Sequence, residues 1–323
     1  MSRKNILIFG ATGLIGTYLT DYLRAKFNVF AVGNRSDFSN KYDDVHYFKC
    51  SIDKKKDFER LPKNIDVVVM LAGILPANME TYSPEKYFMV NTIGLLNVLE
   101  YCRENKVGQI IYTQSHSDVK GLWGKETISP YAEYKLDYNN DHTVYVISKL
   151  AGVELIKHYH ELCGLKYVIL RCPNIYAWHP STYYFVDGKK TIIAYRYFIK
   201  NAMNSLPIEV YGDENTRRDV VYIKDLNQLV EKSIEKNITS SFYNVSNGKA
   251  ISIKEQVEDI IDVFSPKDNR SQIIFRPEIN VPNLNYHYDI SNAVEELEYK
   301  PQYFHKEMLL DMKQEMSLNR FNF

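Results

Sequence analysis

The chain has 323 residues, in which 40 lysines and arginines balance 40 aspartates and glutamates. That balance supplies no net field for nucleic acid or an anionic membrane surface, so the expected partner is a small molecule, with no nucleic acid and no membrane. The longest apolar run, "VVVMLAGILPA" from Val67, is far short of the roughly 20 residues of a bilayer span, and Gly10, Thr12 and Gly13 interrupt the opening segment too early for a secretory signal, so a cytoplasmic protein is expected.

Short β-rich runs alternate with helical periods, the pattern of βαβ units and a mostly parallel sheet. "NILIFG" reads as a buried strand, and Leu14, Leu19, Tyr22 and Leu23 form the inner face of the helix after it. "NVFAVG", "VHYFK", "DVVVML" and "QIIYTQ" continue the strand series, with a long helix from about Pro84 to Asn105 before the last. Residues 125 to 142 are dense in turn formers and carry no period, which predicts a long loop. A helix over 143 to 163 and a sixth strand, "KYVILR", follow. Beyond Pro173 the elements become short: "PIEVYG", "RDVVYI", "FYNVS" and helices near 224 to 236, 253 to 264, 290 to 298 and 305 to 317. The expected architecture is α/β, a Rossmann-like doubly wound sheet over residues 1–172 with a smaller α/β substrate-binding lobe over 173–323, some of whose segments return to the first domain. Cys50, Cys102, Cys163 and Cys172 lack a C-x-x-C pair and read as reduced core thiols, and the histidine spacing predicts no metal site.

The first strand runs into "GATGLIG" and then a helix, the context in which a glycine triplet marks a dinucleotide-binding turn. Gly10 permits the tight turn, Gly13 lets the backbone approach a pyrophosphate at the helix N-terminus, and Gly16 allows close helix packing, with Thr12, Leu14 and Ile15 completing the turn. The second strand ends "AVGNRS" with no acid for a ribose 2′-hydroxyl. Arg35 stands beside that position and suits a 2′-phosphate, so NADP(H) is the expected cofactor and NAD the alternative. Ser51 and Ile52, after the third strand, are expected beside the adenine.

Tyr-x-x-x-Lys occurs four times, at Tyr22/Lys26, Tyr82/Lys86, Tyr131/Lys135 and Tyr145/Lys149. The first two are explained by packing and surface, and "LDYNNDH" breaks any helix that would hold Lys135. Tyr145/Lys149 opens a segment with Val146, Leu150, Val153, Leu155 and Ile156 on a continuous apolar face. Neighbours at i and i+4 let the Lys149 ammonium lower the Tyr145 phenol, which could then move a proton near neutral pH. "TQSHSD" brings Ser115 to the carboxyl end of the fifth strand, where such sheets bind ligands.

With "GATGLIG", "MLAG", "VNTIGLLNVLE", "TQS", "YVISKLAG", "LRCPNIYA", "RRDVVYIKDL" and "HYDISNAVEELEYKP" in this order, the chain resembles the extended short-chain dehydrogenase/reductases of the NAD-dependent epimerase/dehydratase family, most of which act on nucleotide-linked sugars. The resemblance implies Tyr145 as acid/base, Lys149 as its tuner and a holder of the nicotinamide ribose, and Ser115 as the hydroxyl on the reacting carbonyl. It implies cofactor contacts from Leu71, Ala72, Gly73 and Pro173, support from Asn91, and substrate contacts from Asn174 and from Arg218 on a diphosphate. Counting back from "DVKG" leaves His116 as a rival for the serine position. The dehydratase branch carries Asp-Glu directly after the catalytic hydroxyl residue, where this chain has His116 and Ser117. The expected reaction is NADP(H)-dependent reduction of a nucleotide-linked 4-ketosugar. The alternatives are a nucleotide-sugar 4-epimerase with tightly held NAD and, in another class, a non-catalytic redox sensor. The family also leads to the expectation of a homodimer.

Overall fold

The computed structural model describes residues 3–36, 38, 41–139, 142–186, 188–281 and 284–321. Its centre is a parallel sheet of seven strands: β1 (Asn5–Phe9), β2 (Asn28–Gly33), β3 (His46–Lys49), β4 (Val67–Met70), β5 (Gln109–Ser115), β6 (Lys166–Cys172) and β7 (Ser240–Asn244), in spatial order 7-6-5-4-1-2-3. The order reverses between β1 and β4, which opens a crevice at their carboxyl ends.

Strands buried on both faces need apolar side chains at successive positions, and β1 supplies them. Ile6 and Ile8 join one core with Leu19 and Leu23 of α1 (Leu14–Leu23), whereas Leu7 and Phe9 point the other way, to Leu95 and Leu99 of α2 (Leu95–Glu104) and Val153 and Ile156 of α3 (His142–Cys163). The first core extends without a break into the C-terminal half through α4 (Ala194–Met203), α5 (Ile223–Lys236), α6 (Ile253–Phe264), α7 (Ser291–Leu297) and α8 (His305–Glu315). Ahead of α2, a turn at Pro84–Tyr87 and a wide π turn at Phe88–Gly94 make one continuous helix with it.

"FYNVS" is not an element of a separate lobe. It forms β7 and pairs in parallel with β6, from Ser240↔Tyr167 to Asn244↔Arg171. Residues 174–176 and 220–222 form a small parallel pair, 208–211 pair with 273–276, and the hairpin at 183–186 and 189–192 has no counterpart in the sequence reading. The loop before α3 is irregular, as its composition predicts, and its Ile128 amide bonds the His287 carbonyl at 2.8 Å; residues 140 and 141 lie outside the described residues. Cys163 departs from the core assignment, because it sits in the last turn of α3 and is exposed. Among the described residues no helix is long and apolar enough to cross a membrane, and no three metal-ligating side chains converge.

Candidate active site

The glycine turn joins β1 to α1 at the crevice, and its Gly10 and Ala11 amides donate to the Val32 carbonyl of β2 at 2.9 and 3.0 Å. Gly10 has φ +86°, in the left-handed region that favours glycine, and a Cβ there would stand 2.7 Å from the Ala72 amide nitrogen. At Gly16 a Cβ would lie 2.1 Å from the Gly10 carbonyl oxygen, so this glycine is required by helix packing. Gly13 is different: a Cβ would meet only the Gly10 carbonyl oxygen, at 3.4 Å, so the protein's own packing leaves that face open. Gly13 also caps the start of α1 with no side-chain hydrogen bond, which leaves the first amides to an external acceptor. A bare glycine face beside uncapped amides fits a pyrophosphate.

Around the turn, Leu14 and Ile15 are half-buried, and Gly33 at the end of β2 gives room to the Thr12 side chain. Arg35 is exposed two residues later, its carbonyl accepting the Tyr47 hydroxyl. Ser51 receives an Asp57 carboxylate on its amide at 3.0 Å, and Ile52 is buried against Gly94. The segment Leu71–Gly73 leaves β4 under Asn91, which the π turn directs inward. The Asn91 amide accepts from the Ile74 amide at 2.8 Å and donates to the Ile74 carbonyl at 3.0 Å and to Ser148 Oγ at 3.1 Å. Asn91 therefore joins the β4 exit to α3 as a structural support.

On α3 the Tyr145 phenol faces the Ser115 side chain at the end of β5 and packs on the Tyr87 ring, centroids 5.9 Å apart. Of the two candidates at this position, Ser115 faces that hydroxyl, while His116 lies among Trp123, Tyr286 and Tyr288. Of the other pairs, Tyr131 is 65% exposed on a loop, Tyr82 is exposed, and Tyr22 and Lys26 both bind Glu231. The expected direct tuning of Tyr145 by Lys149 requires correction. Burial raises the phenol well above its ordinary range, and the Ser115 side chain opposes that rise. The Lys149 ammonium lies over the Tyr112 ring at 3.9 Å instead, 7% exposed, and burial lowers it to about 7 with the neighbouring Cys172 thiol as a smaller opposing influence.

Beyond Ser115 the chain enters a 3-10 turn, and His116 fits between aromatic rings. Its centroid is 4.9 Å from Trp123 and 5.3 Å from Tyr286, and its Nδ1 is 2.9 Å from the Tyr288 hydroxyl. Burial, then the nearby Arg171, Arg218 and Lys120 charges, push this imidazole down to about 3, so it is neutral. The exposed Asn174 donates to the Tyr286 hydroxyl at 3.0 Å, and Arg218 lies in a short strand bridged to Tyr286. Asp219 accepts from Ser246 and the Tyr288 amide and pairs with His287, and Asp225 accepts from the Gln302 and Tyr303 amides. Pro173, between β6 and Asn174, is buried.

Sequence reasoning missed what holds this turn. Asp118, three residues after Ser115, is fully buried, and both its carboxylate oxygens accept from Arg171 Nε, at 3.0 and 3.1 Å. Arg171 also donates to the carbonyls of Ser129 and Pro130 and to Asn244 of β7. The charged residue inside the apolar "KYVILRC" was the available signal, since a charge there needs a partner.

A doubly wound sheet that brings a dinucleotide turn and a serine, tyrosine and lysine to one edge is the framework of an NAD(P)-dependent enzyme of the extended short-chain dehydrogenase/reductase type. The chain belongs to the NAD dependent epimerase/dehydratase family, whose sequence profile matches residues 6–246. It is 27% identical over 261 residues to a putative UDP-glucose 4-epimerase of Methanocaldococcus jannaschii, covering 77% of this chain and 79% of that one. It is 25% identical over 313 residues to a dTDP-4-dehydro-6-deoxyglucose reductase of Escherichia coli, covering 93% and 94%. The solved UDP-glucose 4-epimerase of Thermotoga maritima with UDP-glucose superimposes with a TM-score of 0.80 at 19% identity, covering 97% of this chain and 99% of that one, which establishes the shared fold. The chain is thus a nicotinamide-dinucleotide-dependent enzyme of the epimerase/dehydratase family.

Proposed function

We propose that the chain is a nucleotide-sugar 4-epimerase that keeps its NAD bound through the cycle. The carrying observation is the Tyr145 phenol of α3 facing the Ser115 side chain at the carboxyl end of β5, next to the glycine crevice. When bound, the dinucleotide supplies the hydride acceptor and donor. In this reading the Ser115 hydroxyl would hold the C4 oxygen, Tyr145, entering the cycle as the phenolate, would take the C4 hydroxyl proton as the carbonyl forms and give it back as the inverted hydroxyl is made, and Lys149, beside the ribose, would supply the positive charge that favours the phenolate once the dinucleotide is bound. Arg218 and Asn174 would meet the diphosphate and sugar, in a lobe built mainly from residues 173–323. Water loss across the sugar is disfavoured, because Asp118, the carboxylate of the turn after Ser115, is committed to Arg171.

A second reading is favoured by Arg35: an exposed cation with no acid between Gly33 and Ser36 suits a 2′-phosphate, and hence an NADPH-consuming reduction of a 4-ketosugar. Similarity to the E. coli reductase supports it as well. We also propose a homodimer through the helix containing Phe88, Met89 and Ile93 and the adjacent Ile147 of α3, all exposed apolar side chains.

The deciding experiment incubates the protein with UDP-glucose, UDP-glucuronate and UDP-N-acetylglucosamine, and separately with 4-ketosugar nucleotides plus NADPH or NADH. C4 isomers formed with no net change at the nicotinamide absorbance support the epimerase, and NADPH consumption replaces it with the reductase. A Tyr145→Phe variant should lose about 10²–10⁴-fold in turnover. Undiminished turnover, or none by the native chain on any of these compounds, would refute the assignment.

A further inference from the structure

Lys149 is a buried ammonium, and among the described residues no carboxylate pairs with it. The groups that face it are Tyr112 from β5, Cys172 from β6 and Tyr145 one turn back on its own helix. Of these, Tyr112 is the one whose ring face lies under the ammonium. Its ring is 1% exposed with its centroid 3.9 Å from the ammonium nitrogen, and its hydroxyl donates to the Lys149 carbonyl at 3.2 Å. The ring is thus held at both ends, by the strand and by the helix backbone above it. Room for it comes from Gly152, where a Cβ would stand 2.8 Å from the Tyr112 hydroxyl oxygen. An aromatic face attracts a desolvated cation strongly at this distance, because the ring quadrupole replaces part of the lost hydration.

We propose that Tyr112 is the positioning residue of Lys149: its ring face stabilises and orients the ammonium at the working edge of the site, and Gly152 leaves the helix open to admit that ring. The proposal rests on the reading of Lys149 as part of the catalytic machinery. Tyr112 acts through that side chain and touches no reacting atom.

The test replaces residue 112 at constant shape. In full-length protein carrying ¹³C,¹⁵N-lysine, the Lys149 resonance is assigned by its disappearance in Lys149→Met and followed against pH for the native chain, for Tyr112→Phe, and for 3,4,5-trifluorophenylalanine at position 112, whose ring face is depleted of electrons. Tyr112→Phe should leave the midpoint within about 0.3 pH units, whereas the trifluoro ring should lower it by about one, a tenfold loss of proton affinity. The pH profile of turnover in the trifluoro variant should move by the same amount. A midpoint unmoved by fluorination, or moved equally by Tyr112→Phe, overturns the proposal. Because the titration needs no turnover, it stands apart from the Tyr145→Phe assay: lost midpoint sensitivity refutes the role of Tyr112, and undiminished Tyr145→Phe turnover refutes the catalytic reading.

Discussion

Replacing Lys149 with methionine should make the protein more stable while abolishing its chemistry. The side chain is 7% exposed, and methionine keeps most of the aliphatic volume. Burial lowers the ammonium from 10.5 to about 7, a gap that corresponds, at about 1.4 kcal/mol per pH unit, to an upper bound of about 5 kcal/mol. The folded state binds this proton less tightly than the unfolded chain does, so the penalty is complete below pH 7, declines as pH rises towards 10.5, and is absent above that. Urea unfolding of dinucleotide-free protein at pH 6, 8 and 10, followed by circular dichroism, should place Lys149→Met roughly 2–4 kcal/mol above the native chain at pH 6 and close to it at pH 10. A gain that does not depend on pH, or a loss at pH 6, would show that Lys149 is not a strained buried cation.

Three further outcomes follow from the site. Gly13→Ala should keep the fold and native melting temperature yet weaken NADH binding at least about tenfold in a fluorescence titration, whereas Gly16→Ala, with its 2.1 Å clash, should also lose about 1–3 kcal/mol of stability. Asp118→Ala leaves the buried Arg171 charge uncompensated and should cost about 3–5 kcal/mol in denaturant unfolding, with Asp118→Asn costing less. His116, held neutral down to about pH 3, is protonated more readily in the unfolded chain, so it removes stability as pH falls from 6.5 towards 3. His116→Asn should therefore flatten the loss of stability between pH 7 and pH 5, by at most about 2 kcal/mol at pH 5.

The strands of the sheet and the glycine turn were legible because their signals are local: an unbroken apolar run, a glycine triplet, then a helical face. Tyr145 was separable from its rivals on the same ground, since only its helix continues. The orientation of Lys149 was not legible, because the i,i+4 rule describes neighbours on an isolated helix and Tyr112 approaches from the sheet beneath. The choice between Ser115 and His116 depended on Trp123, Tyr286 and Tyr288 forming a pocket for the imidazole, a pairing across more than 150 positions of chain. No spacing rule reaches that far. β7 eluded assignment to the main sheet for the same reason: "FYNVS" states that it is a strand, and only its partner β6 states where.

That seventh strand has a consequence for how the molecule must be made. β6 carries Cys172 next to Ser115, and its outer edge is covered by residues 240–244, which the ribosome delivers some 70 positions later. Until then the nascent sheet has a bare, apolar rim, the kind of edge that recruits foreign strands. A chain cut at residue 172 would keep every local signal of a dinucleotide-binding unit and still be prone to aggregate, so the enzyme can mature only after its C-terminal half has been synthesised.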